Sequence, residues 1–289
     1  MPVSGFSAVP MWLFFLQTAV EAAAVVLFIL NRRRFREFFK PAIAIAAIGF
    51  VLNAPFQVLA VYQMDMKKVF EGFSLPLTAE DLSLLRNIVA AATVAQTAVY
   101  FGLVMLAFVA AAGEWDRLRP RPFPLLMRTG EKVWPKNLAA AGLGVAGAAV
   151  SLVFVHLLHV GASDFMKELF PESAPALVPP GVEIVLELAF VVSAAAAEEI
   201  LFRGAILGFL LRASRSNTAA LLASIFSVSL LWALLHYPNT DSPTFKIAQV
   251  FVLGVILAEV TRRWSLESSV VLHVSFNVAS LAIAYLPIG

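Results

Sequence analysis

The sequence of 289 residues contains no cysteine, so disulfide bonds and thiolate chemistry are excluded from anything it does. Charge is also scarce. Asp, Glu, Lys and Arg make up only 14% of the chain against 60% hydrophobic residues. A water-soluble domain of this length needs far more charge to cover its surface, so the composition predicts an integral membrane protein. There is no internal repeat, no H-E-x-x-H zinc signature and no stretch with room for a soluble domain. The net charge of +2 is too small to suggest a nucleic-acid partner.

What is present is a series of apolar runs of the length that crosses ~30 Å of hydrocarbon. They fall near 10–30, 41–64, 87–112, 137–160, 182–212, 218–237, 246–261 and 268–288. The expected fold is all-α and polytopic, with about eight transmembrane helices. The first run is too long for a signal-peptide core and reads as a retained span. Pro41 and Pro135 are expected at helix starts, where a missing N–H costs nothing. The proline-rich "PESAPALVPPG" (171–181) marks the longest external loop.

Orientation follows from where Lys and Arg fall. The connections 31–40, 113–136, 203–215 and 259–267 carry five, six, three and two basic residues, sixteen in all. The alternate connections 65–86, 161–181 and 238–246 carry three, one and one, which is five. The excess of positive charge belongs in the cytoplasm, so both termini are predicted outside.

Within this apolar chain, "SAAAAEEILFRGAILGFLL" (193–211) places Glu198, Glu199 and Arg203 inside a span. Ionisable groups at membrane depth are costly unless paired or hydrated, and are functional candidates by default. Glu199 and Arg203 stand at i and i+4 with the glutamate first, the favourable order for an ion pair on one helix face. Glu198 is turned ~100° from that stripe and has no cation at i+3 or i+4. Two arrangements satisfy the spacing. All three charges form one structural network, or Arg203 neutralises Glu199 and leaves Glu198 free as an acid/base.

Glu198 needs polar partners, and only four histidines exist. "LWALLHYP" carries His236 at the end of the sixth run, and "VLHVSFN" carries His273 with Asn277 one turn later on the same face. "HLLH" supplies His156 and His159, which read as packing or loop-proximal residues. Runs five and six form an antiparallel pair turning near "SRSN" (214–217). Equal counting from that turn sets Glu198 opposite position 233, and at 1.5 Å per residue His236 is then offset by only ~4.5 Å.

These residues resemble a known family. "EEILFRG" (198–204) is similar to the EExxxR motif of the CAAX protease and bacteriocin-processing family, the type II CAAX prenyl endopeptidases. "WALLH" (232–236) resembles its second motif, an aromatic residue four before a histidine, with Trp232 where phenylalanine is common. "HVSFN" (273–277) resembles its third, HxxxN or HxxxD. The three occur in the family's order, so 181–289 is expected to be a catalytic helical core of this kind. Residues 1–170, with four spans, carry no such resemblance.

The resemblance implies an intramembrane glutamic endopeptidase that uses no cofactor and no metal, with its active site toward the cytoplasmic side. Glu198 and His236 would activate a water, His273 and Asn277 would donate to the oxyanion, and Glu199, Arg203 and Trp232 would support the site. It implies a peptide or protein substrate, with or without a prenyl group, the lipid bilayer as surroundings, and the plasma membrane of a prokaryotic cell as location. Two other functions stay open. Glutamate and two histidines also make a His₂Glu zinc site with a metal-bound water, and the same cavity serves a non-catalytic scaffold or immunity-type protein that captures a peptide. A transporter is a weaker fit, because the chain lacks two halves with matched broken helices.

Overall fold

The computed structural model describes residues 23, 26, 29–30, 32–67, 77–115, 133–157, 177–214, 217–236 and 243–284. Among them there is no strand; all regular structure is helical. Helix α1 spans Arg32–Gln63, α2 Ala79–Trp115 and α3 Trp134–Leu157. Helix α4, Pro180–Glu198, runs on without a break into a π-helical segment, Glu199–Leu207, and a short α5, Gly208–Ala213. Then come α6 (Thr218–Leu234), α7 (Pro243–Arg263) and α8 (Leu266–Ala284). The apolar runs predicted from 41 onward each fall on a described helix. The first, 10–30, lies largely outside the described residues, as does most of the 113–136 connection.

Local chemistry sets several of these boundaries. Thr78 and Asp81 form a reciprocal cap at the start of α2: the Asp81 carboxylate accepts from the Thr78 N–H at 2.8 Å, and Thr78 Oγ1 accepts from the Asp81 N–H at 3.2 Å. Asn217 caps α6 by accepting from the N–H groups of Ala219 and Ala220. Ser265 Oγ accepts from the Ser268 N–H at the start of α8. Pro180 opens α4 and Pro135 is the second residue of α3, both in first turns where no N–H is needed. Pro41 corrects an expectation. It lies inside α1, which begins nine residues earlier at Arg32 and also contains Pro55. Each proline removes one backbone hydrogen bond, but packing of α1 along α2 holds the helix together across the gap.

Five helices are long and apolar enough to cross a membrane: Phe38–Gln63, Ala79–Gly113, Trp134–Val155, Thr244–Arg263 and Leu266–Ile283. Thr218–Leu234 is a shorter apolar helix. Only 17% of the apolar window in Trp134–Val155 is buried in the protein. Its Leu138, Val145, Val150 and Val153 point outward, as do Ile48 and Val51 of α1 and Leu84, Ile88 and Val99 of α2. Apolar side chains over so much of the surface suit a protein whose solvent is lipid. This is an integral membrane protein.

With lipid outside, helices gain little from hiding apolar surface from one another, and close packing and internal hydrogen bonds hold them. The principal pairs are α3 on α8, α1 on α2, and α6 on α7. The π-helical segment sits at the centre, touching α2, α6, α7 and α8. Eight of its nine residues are buried. Around it lie Phe108, Trp232, Leu257, Leu266 and Leu272, all with almost no exposed surface.

Candidate active site

The π-helical segment carries the first part of the site. Glu199 and Arg203 are both 0% exposed, and Arg203 Nη1 donates to Glu199 Oε1 at 2.9 Å. The same oxygen accepts from His273 Nδ1 at 3.0 Å, and Glu199 Oε2 accepts from Ser269 Oγ at 2.5 Å. A paired carboxylate has only acceptor sites to offer, so His273 must hold its proton on Nδ1, leaving Nε2 as the ring nitrogen free for other work. Arg203 keeps Nε and Nη2 without a hydrogen-bond partner among the described residues. Its guanidinium instead lies over the Trp232 ring, 4.1 Å from the centroid, an electrostatic contact that strengthens when water is excluded. Gly254 makes room for it: a Cβ there would stand 3.2 Å from Arg203 Nη2 and 3.0 Å from Ser229 Cβ.

Glu198, one residue earlier, faces elsewhere. Its Oε2 accepts from the indole N–H of Trp232 at 2.8 Å. One turn after Trp232 in the chain, His236 Nδ1 lies 2.9 Å from the Trp232 carbonyl oxygen. A carbonyl only accepts, so Nδ1 carries the proton and Nε2 holds a free lone pair. Glu198 and His236 are therefore each tied to Trp232, through its side chain and its backbone.

Both line one cavity of about 120 Å³, together with Trp232, Lys246, His273 and Asn277. That is room for several water molecules. Asn277 follows His273 by one turn on α8, so the two reach the cavity from the same helix. Glu199 and Arg203 are not among its lining residues and stand behind it. His159, and the side chain of His156, lie outside the described residues. Among the described residues, no three His, Asp or Glu side chains come together in a group that would hold a metal ion.

Some members were not anticipated from the sequence. Ser269 stands one turn before His273 on α8, so Ser269, His273 and Asn277 form one polar stripe at four-residue spacing, a readable signal. Lys246 lines the cavity and interacts electrostatically with Glu198. It lies in the first turn of α7, the end of a helix that disfavours a cation, and that misfit was its only sequence signal. Gln249 also lines the cavity and donates to Ser151 of α3.

The three motifs thus meet around one polar hollow in an apolar bundle. Residues 179–279 match the Rce1-like family of type II CAAX prenyl endopeptidases. No curated protein and no solved structure matches the chain. Every residue that lines the cavity falls within the Rce1-like segment. The family implies a peptidase that works in the membrane on a peptide substrate. Helices α1, α2 and α3 precede the matched segment, yet α3 packs along α8 and hydrogen-bonds it, with Ser268 Oγ donating to Asn137 Oδ1 at 2.7 Å.

Proposed function

We propose that the protein is an intramembrane endopeptidase of glutamic type, in which Glu198 and His236 activate a water and His273 and Asn277 hold the oxyanion. The observation that carries this reading is the convergence of these four side chains on one cavity of about 120 Å³ inside the Rce1-like segment. A water in that cavity passes a proton to the Glu198–His236 pair as its oxygen attacks the scissile carbonyl carbon. The carbonyl oxygen becomes an oxyanion and takes hydrogen bonds from His273 and Asn277. Collapse of the intermediate breaks the C–N bond, and the proton returns to the leaving amine.

The Glu199 contact bears on the role of His273. With Nδ1–H donating to Glu199, donation from Nε2 requires the ring to carry both protons, a cation held between Glu199 and the developing oxyanion. A low-dielectric, water-poor setting makes such fixed charges effective. Residues 181–289 form the catalytic core in this reading, and the helices before 170 support it. The site opens toward the cytoplasm, with both termini outside.

The test is cleavage of a quenched fluorescent peptide library by purified protein in proteoliposomes. Glu198→Gln keeps the shape of the side chain and removes the base, so cleavage should disappear while folded protein remains. Activity should survive chelators. Undiminished cleavage by Glu198→Gln overturns the reading, activity lost to a chelator and restored by zinc favours a metallopeptidase, and peptide capture without turnover favours the scaffold.

A further inference from the structure

Trp232 is 2% exposed and touches four of the site's members, each by a different contact. Its indole N–H donates to Glu198, its carbonyl accepts from His236, and its ring face carries the Arg203 guanidinium. Its ring also meets those of His236 and His273 edge-on, with centroids 5.0 and 5.2 Å away. A phenylalanine in its place would still offer a ring to Arg203 and to the two histidines. It cannot reproduce the N–H.

That single donor acts on the softest part of Glu198. The terminal torsion of a glutamate is broad and roughly two-fold, so a carboxylate without a fixed donor samples many orientations. A charge-assisted hydrogen bond to Oε2 selects one of them and leaves Oε1 as the oxygen for a water. We infer that Trp232 is a positioning residue, whose indole N–H fixes the Glu198 carboxylate in its reactive orientation. This rests on the proposed role of Glu198 as the base.

The experiment replaces Trp232 in the full-length protein by β-(3-benzothienyl)alanine, which keeps the bicyclic shape and puts sulfur in place of N–H. Trp232→Phe is made beside it. The readouts are kcat and KM on a cleaved peptide, and the infrared carboxylate stretch of Glu198, assigned by its loss in Glu198→Gln. Both variants should lose about ten- to hundredfold in kcat. KM should be nearly unchanged, and the Glu198 band should shift. A kcat within about twofold of wild type, or an unmoved band, overturns the inference. If the sulfur analogue yields no folded protein, the Trp232→Phe band decides. Should wild-type protein cleave nothing, or Glu198→Gln still cleave, the peptidase reading itself falls, and the infrared arm separately reports whether the indole holds Glu198.

Discussion

Glu199 and His273 lie 74 residues apart in the chain and 3.0 Å apart in the structure. The contact joins the first motif to the third. The Glu199 carboxylate also receives Arg203 and Ser269, so a single buried anion answers three donors from two helices. Removing its charge leaves Arg203 fully buried with no ion-pair partner in contact, only the Trp232 ring beside it and the Glu198 carboxylate at longer range. Glu199→Gln should therefore cost about 3–5 kcal/mol of stability. Thermal unfolding in detergent and the yield of monodisperse protein measure this. Glu198→Gln, which leaves that network intact, should melt close to wild type; equal melting of Glu199→Gln and wild type would dissolve the pairing argument.

Asn277 and His273 reach the cavity from one face of α8. If Asn277 donates to the oxyanion, Asn277→Ala should lower kcat by about 10²–10³ with KM barely changed. Steady-state kinetics on a quenched fluorescent peptide check it. An unchanged kcat would leave Asn277 as a packing residue.

The position of α8 is set in turn by α3, and at Gly144 the α3 backbone runs directly against that of α8. A Cβ at Gly144 would stand 2.4 Å from the Leu272 carbonyl oxygen and 2.9 Å from the Phe276 nitrogen, both backbone atoms that cannot turn aside. Gly144→Ala should push α8 away and destabilise the protein by about 1–3 kcal/mol, with a loss of cleavage because His273 and Asn277 move with α8. Gly142, with nothing within 4 Å of its added Cβ, is the control. Gly142→Ala should be neutral or slightly stabilising. A melting temperature equal in the two variants would refute the close-approach argument.

The cysteine-free chain makes orientation directly measurable. A cysteine placed at position 121 should resist an impermeant maleimide in intact cells and react after permeabilisation, given the sixteen-to-five distribution of basic residues. Labelling from outside would reverse the topology.

The sequence disclosed some of this site and concealed the rest for identifiable reasons. Glu199 and Arg203 were readable because an ion pair at i and i+4 has a fixed geometry. Counting along the hairpin set Glu198 opposite position 233, and the contact it makes is with Trp232. The π-helical stretch was not readable, since a Glu and an Arg four residues apart among apolar neighbours suit a turn of 3.6 residues and a wider one alike. The partnership of α3 with α8 left no trace either, because α3 is apolar along almost its whole length and carries no stripe that names a neighbour. Pro41 misled because proline marks a helix start only where an interior position would break the helix, and here α2, packed along α1, supports the turn that has lost its hydrogen bond.

The π-helical conformation of Glu199–Leu207 also bears on how this chain can change length. A π turn holds about one residue more than an α turn does, so a deletion between 204 and 207 can be absorbed as the segment tightens to ordinary α geometry, with little rotation of the helix on either side. Helix α8 has no such slack. Deleting one residue between His273 and Asn277 would swing one of them by ~100° about the helix axis relative to the other. The wide turn tolerates a single-codon deletion that in α8 acts as a rotation, and a descendant of this sequence that bears one in α8 should keep its membrane fold while losing its site.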